Sequence, residues 1–236
     1  EGGSMNECPE NSSWKLKLLT SIRILLVLMG VIIVVFGAGG TKVFGLITLI
    51  AVAVVYIPAL RHPHGLRVIP VEIEILFLTV VALEYILGNT LGLYGRIAYY
   101  DKFMHFTVPF IVALIGMMLI YTAYVYGKIR TSLLIMAFLI VFVTLGLGAL
   151  LELVEYGYDH YLYQHIEHVL PTGPTQGSPV MDPLADTMFD LLTDLLGGVF
   201  GAVTGVILVR RAERKNYCLE WVDDVARFEG IDEDQR

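Results

Sequence analysis

Six apolar runs, at about 16–37, 43–60, 69–92, 102–126, 131–157 and 186–209, occupy most of this chain. About 20 apolar residues cross the hydrocarbon core of a bilayer as a helix. In lipid every backbone N–H and C=O must find its partner within such a segment. The chain has 236 residues, of which 56% are hydrophobic and 17% charged, with a mean hydropathy of +0.69. That lies outside the range of soluble globular domains. The expected fold is therefore all-α, a polytopic transmembrane bundle of about six spans. The first run is too long, and too poorly followed by a cleavage site, for a removed signal peptide. The four residues ahead of Met5 read as a fusion remnant.

Basic residues set the expected orientation. Lys15 and Lys17 precede the first span, Arg61 and Arg67 join the second and third, and Lys128 and Arg130 join the fourth and fifth. Arg210, Arg211, Arg214 and Lys215 follow the sixth, whereas the alternate connectors hold only Lys42, Arg96 and Lys102, and 157–193 holds no lysine or arginine. Both termini are expected in the cytoplasm of a multi-pass plasma-membrane protein. The parts are a tail (1–15), a membrane domain (16–211) and a short acidic tail (212–236). A net charge of −7 argues against a nucleic-acid partner. Cys8 and Cys218 fall in opposite tails and suggest no framework. The long outer connector, about 158–185, opens with an aromatic and histidine-rich stretch suited to an interfacial helix. In the last tail, Leu219, Val222, Val225 and Phe228 mark an amphipathic helix lying on the membrane or against the bundle.

The buried charges are the chemical signal. Asp186, Asp190 and Asp194 recur every four residues, so they stack on one helical face over about 12 Å. An aspartate in hydrocarbon costs several kcal/mol unless paired, protonated or hydrated. Glu84 near the end of the third span, Asp101 and His105 opening the fourth, and Glu152 and Glu155 closing the fifth fall on the same expected outer half. A faint parallel repeat relates them. Glu84-Tyr85 followed by Asp101-x-x-x-His105 matches Glu155-Tyr156 followed by Asp186-x-x-x-Asp190. Two such hairpins side by side would gather carboxylates and one imidazole from several helices. That donor set suits Mg²⁺, Mn²⁺, Ca²⁺, Fe²⁺ or Zn²⁺. The candidate ligands are Glu84, Asp101, His105, Glu152, Glu155, Asp186, Asp190 and Asp194.

Blander roles compete at some positions. Asp101 and Asp186 also suit helix N-caps. Glu72 and Glu74 follow Pro70, where carboxylates favour the start of a helix. His62 and His64 are expected to be solvated, while His160, His165 and His168 are further ligand candidates. Gly197, Gly201 and Gly205 form a small-residue stripe for close packing, Gly146 and Gly148 another, and Pro109 is expected to kink the fourth span.

Tyr100-Asp101 with His105, Glu152 and Glu155 with Tyr156, and Gln176-Gly177 followed by Asp186-Thr187-x-x-Asp190 resemble the YjdF-like family of uncharacterised integral membrane proteins. The likeness covers roughly residues 70–210, and Phe189 stands where the family pattern has a tryptophan. It implies a small polytopic membrane protein and names no reaction.

Three functions remain open. One is a metal-dependent enzyme acting on lipid or polyprenyl phosphate headgroups, with His105 or Glu155 as general acid or base. Another is a divalent-cation or proton-coupled transporter using the same acids. The third is a structural protein clamped by its metal. The inner halves of spans five and six carry no ionisable group, which favours a one-sided site over a conduction path. The bilayer is the expected partner, alongside a lipid-phosphate substrate or cation and a candidate second copy of the chain.

Overall fold

The computed structural model describes residues 13–57, 69–166, 174–178, 180–215 and 219–231. Cys8, Cys218, Arg61, Arg67, His62, His64 and His168 lie outside those residues. The described residues are helical, apart from turns and an isolated bridge between Ser178 and Met181. Helices α1 (Ser13–Phe36), α2 (Thr41–Val54) and α3 (Val71–Val81) come first, and α3 runs on into a π-helical stretch, Ala82–Thr90. A short α4 (Leu93–Arg96) leads to α5 (Tyr100–Val125) and α6 (Leu133–Gly157). A second π-helical stretch (Tyr158–Leu162) and α7 (Tyr163–Ile166) follow, then α8 (Pro183–Lys215) and α9 (Glu220–Glu229).

Four of these helical runs are long and apolar enough to cross a membrane: α1, α5, Leu133–Leu162 and α8. The remaining two expected spans fall on shorter pieces. Helix α2 has 14 residues, and the third span is divided between the 11 residues of α3 and a π-helix of 9. The aromatic stretch after Gly157 forms no separate interfacial helix; it continues α6 without a break. Around the bundle, Leu134, Phe138, Leu153 and Val154 are each more than 60% exposed, an apolar periphery that fits lipid rather than water.

The described residues form two cores. In the first, Leu19, Leu26 and Ile33 of α1 pack with Val52, Leu78 and Val81. In the second, Ala113 and Met117 of α5 meet Ile140 of α6 and Ala202 and Val209 of α8. Helices α5 and α8 make the closest pairing, and glycine explains it. A Cβ on Gly197 or Gly201 would collide with the backbone carbonyl of Phe106 or Phe110, and one on Gly205 with Met117. Helix α5 continues unbroken through Pro109, whose missing N–H leaves the carbonyl four residues back, at His105, without its helical partner. The second core is closed by α9, which buries Val222, Val225 and Ala226 and receives the Tyr126 hydroxyl on Asp223 at 2.9 Å. The tail helix thus lies against the bundle.

Arg23 of α1 is a charge that the reading of the first span passed over. Its guanidinium donates to both oxygens of Glu74, at 2.5 Å each, and sits 4.7 Å from the ring centroid of Tyr56. Lys15 pairs with Glu72 at 2.7 Å. The two glutamates at the start of α3 therefore serve as partners for α1 as well as complements to a helix dipole.

Candidate functional site

The N-cap competition resolves in favour of Asp182. Its Oδ1 accepts from the backbone N–H groups of Leu184 and Ala185, both at 3.1 Å. That leaves Asp186, Asp190 and Asp194 free to turn their side chains inward from α8, where they are 3%, 2% and 2% exposed. At the head of α5 no side-chain cap forms, so Asp101 is also available to the cluster.

Lys102 stands at the centre of the aspartates. Its Nζ donates to Asp101 Oδ2 at 2.9 Å, Asp186 Oδ1 at 2.6 Å and Asp190 Oδ2 at 2.7 Å. An ammonium has three donors, and here each finds a carboxylate. The sequence placed Lys102 among the loop charges that set orientation. The correction is that α5 begins at Tyr100, two residues earlier than expected, which puts Lys102 inside the bundle with its side chain 11% exposed.

His105 lies one turn deeper. Its Nδ1 is 3.1 Å from Asp194 Oδ1. Its Nε2 faces three carboxylate oxygens, Asp101 Oδ1, Glu152 Oε1 and Asp190 Oδ1, each at 3.8 Å. That is too far for a hydrogen bond. It is close to what two ligands of one ion require, because donors about 2.1 Å from a metal stand roughly 3–4.2 Å apart. Asp101, His105 and Asp190 offer ligand atoms within 4.8 Å of one another. Glu152 Oε1 and Asp190 Oδ1 are buried and have no hydrogen-bond partner. The other oxygen of each is engaged, Glu152 Oε2 by the Thr187 hydroxyl at 2.8 Å and Asp190 Oδ2 by Lys102. Both carboxylates are thus oriented by one oxygen while the other points at Nε2. With Nδ1 protonated and donating to Asp194, Nε2 presents a lone pair, the arrangement by which a carboxylate orients a ligating histidine.

The eight candidates therefore separate by position. Asp101, Glu152 and Asp190 each set an oxygen 3.8 Å from His105 Nε2, and among the described residues Asp101, His105 and Asp190 are the three that group within ligand distance of one another, with Glu152 beside them. Asp194 supports His105 from behind. Asp186 is turned toward Lys102 and the Gly177 N–H, which it accepts at 2.8 Å. Glu84 lies elsewhere, with its oxygens taken by Asn89 Nδ2 at 2.8 Å and the Tyr94 hydroxyl at 2.6 Å. Burial, and then the Glu84 charge, raise the Tyr94 phenol above its ordinary pKa, so it stays a donor. Glu155 has no side-chain hydrogen bond among the described residues. Of the additional histidines, His160 stacks on Tyr156 and turns Nδ1 to that residue's carbonyl, and His165 is exposed; neither joins the cluster.

A strap covers the cluster from the loop. Asp159 accepts from the backbone N–H groups of Thr175 and Gln176, both at 2.8 Å. Gln176 Nε2 reaches Thr187 at 3.2 Å, and Thr187 in turn holds Glu152. Close packing completes the site, for a Cβ on Gly148 would collide with Asp194 Oδ2 and one on Gly198 with Thr144 Oγ1. Gly146, expected to act with Gly148, has open space around it.

Beside the cluster is a cavity of about 780 Å³. Its lining includes the polar Glu84, Asp101, His105, Glu155 and Asp194 and the apolar Val108, Val112 and Leu147.

A family model described as "predicted membrane protein (DUF2238)" matches residues 20–211. The chain belongs to that family of uncharacterised membrane proteins. No curated protein and no solved structure gives a match.

Proposed function

We propose that this member of the DUF2238 membrane family is a divalent-metal enzyme that hydrolyses or transfers lipid or polyprenyl phosphates at the outer face of the plasma membrane. The observation that carries the metal is the pair of buried, unpartnered oxygens, Glu152 Oε1 and Asp190 Oδ1, both 3.8 Å from His105 Nε2. Leaving such groups unpaired in a low-dielectric interior is costly. Among the described residues five carboxylates, Asp101, Glu152, Asp186, Asp190 and Asp194, meet Lys102 and the His105 imidazole, and an added cation relieves the surplus of negative charge. Carboxylates with one imidazole suit Mn²⁺, Fe²⁺ or Zn²⁺ better than Ca²⁺, which prefers oxygen alone.

Asp101, His105, Glu152 and Asp190 would hold the ion, with Lys102, Thr187 and Asp194 fixing their orientation. A divalent ion supplies Lewis acidity and an acidified water. Glu155, which lines the same cavity, is the remaining group placed to take a proton. In hydrolysis water adds to phosphorus as the P–O bond to the lipid alcohol breaks, and Glu155 takes the water's proton and delivers it to the departing alkoxide. The transporter reading is weaker because the core beyond the cluster is closed by Ala113, Met117, Ile140, Ala202 and Val209.

Elemental analysis of the purified protein tests this reading. About one divalent ion per chain is expected, lost in Asp190→Asn/Glu152→Gln and kept in Glu155→Gln, which should lose phosphatase activity instead. Protein that stays free of metal after reloading with Mn²⁺, Fe²⁺ or Zn²⁺ sinks the proposal and leaves proton-coupled transport as the better idea.

A further inference from the structure

The cavity beside the cluster has a shape and a charge pattern of its own. Helix α6 packs on α5 and α8, but the Val71–Thr90 helix meets the second half of the bundle only lightly, against α5. The cavity lies in the gap so formed, with Val80, Glu84, Tyr85 and Asn89 on one wall and Thr144, Leu147, Leu151 and Glu155 on the other. Leu147 and Leu151 line it while remaining 49% and 47% exposed at the periphery, so the gap opens sideways, toward the region where lipid tails would lie. Arg96 also lines the cavity, and it makes no ion pair or hydrogen bond among the described residues. Arg96 is exposed, so its guanidinium stands at the solvent side of the cavity, and its planar fork matches a phosphate.

We propose that this cavity receives a single-chain amphiphile with a phosphate head, the phosphate held between Arg96 and the His105 cluster and the chain leaving through the gap between the Val71–Thr90 helix and α6. This rests on the phosphate-enzyme reading above and adds the shape of its substrate. The volume supports one chain, since about 780 Å³ falls within the roughly 300–1,000 Å³ of sites that enclose a compact ligand. A two-chain phospholipid would have to place its second acyl chain against Val108 and Val112, which line the cavity.

The test uses the full chain in nanodiscs, with equilibrium binding of radiolabelled farnesyl phosphate and competition by farnesol, 1-oleoyl lysophosphatidic acid and dioleoyl phosphatidic acid. Farnesyl phosphate is expected to bind, and Arg96→Gln to weaken it roughly tenfold or more without changing farnesol. Val108→Phe, which adds bulk to the apolar lining, should weaken both. Competition by the lysophosphatidic acid supports a general single-chain phosphate site; its failure beside firm farnesyl phosphate binding supports a prenyl-selective one. Equal binding of farnesol and farnesyl phosphate, an Arg96→Gln variant that binds normally, or equal competition by dioleoyl phosphatidic acid overturns the inference. Metal content measured on the same samples separates the two readings. Bound metal without amphiphile binding defeats only the substrate inference, and amphiphile binding without metal defeats only the enzyme.

Discussion

In the first half of the bundle Glu74 is 3% exposed, and Arg23 closes on both its oxygens at 2.5 Å while resting against Tyr56. In the second half Lys102 spreads three hydrogen bonds over three aspartates, and Glu152 Oε1, Asp190 Oδ1 and Asp194 Oδ2 keep no partner. Each region buries acids against a basic side chain. The first closes Glu74 with one guanidinium in a bidentate pair, and Glu72 Oε2 is its one spare buried oxygen among the described residues. The second orients more carboxylate oxygens than its cations can use, and two of the spare ones, Glu152 Oε1 and Asp190 Oδ1, face one imidazole nitrogen. Unspent, pre-oriented donors distinguish a site from a brace, and burial alone does not.

The comparison is broken most forcefully by removing the two cations. Arg23→Met and Lys102→Met should each cost about 3–5 kcal/mol, the price of stranding a buried acid, with Lys102→Met at the upper end because three carboxylates lose their partner. The rescue differs. Arg23→Leu/Glu74→Leu should recover most of the loss, since an apolar pair can replace a closed ion pair, and Mn²⁺ should do nothing for Arg23→Met. Lys102→Met should instead be stabilised by Mn²⁺, by about 2.7 kcal/mol at a hundredfold excess over its dissociation constant. Thermal unfolding in detergent, with and without Mn²⁺, reads both. Equal rescue of the two variants would mean that the regions are not different in kind.

How far the sequence alone could see follows the same division. Acids at four-residue spacing in an apolar run betray a stripe, so Asp186, Asp190 and Asp194 were legible, as were Asp101 with His105 and the glycines that let α8 close on α5. Periodicity reports which residues share a face, but not which cation will meet them. Lys102 sits beside Asp101 at an expected span boundary, where a shift of two residues changes a loop charge into a buried one. Arg23 was overlooked because a long apolar run absorbs one charge without losing its character, and its partner Glu74 is 51 positions away. The division of the acids into those facing Nε2, those behind the histidine and those serving Lys102 depends on side-chain rotamers, which no spacing encodes. The π-helical turns at Ala82–Thr90 were equally hidden, and they carry Glu84 away from the cluster into the bonds of Asn89 and Tyr94.

A smaller effect tests whether packing sets the geometry of the site. Gly148→Ala should cost about 1–3 kcal/mol through overpacking and push Asp194 off His105 Nδ1, which should weaken metal binding about 10–100-fold. Gly146→Ala, two residues away on the same helix, meets nothing within 4 Å and should stabilise by roughly 0.5–1 kcal/mol through helix propensity. Metal titration and unfolding midpoints on both variants check the pair. An unchanged affinity in Gly148→Ala would show that Asp194 is no support for the imidazole.

The smallest expected effect is also the sharpest discriminator among the acids. Glu84 and Glu152 are both glutamates in the C-terminal parts of their helical runs, and residue type cannot separate them. Their oxygens do. Both of Glu84's are already held, by Asn89 and Tyr94, whereas Glu152 keeps Oε1 bare beside His105. Glu84→Gln should therefore leave metal affinity within about twofold, below the roughly 0.5 kcal/mol that distant, independent sites show as scatter. Glu152→Gln, which replaces a ligand oxygen or its charge, should lower affinity far beyond that. Isothermal titration with Mn²⁺ compares them directly. If Glu84→Gln weakens binding as much as Glu152→Gln, the ion lies in the cavity between the two repeat-related hairpins, and the ligand set shifts toward Glu84 and Glu155.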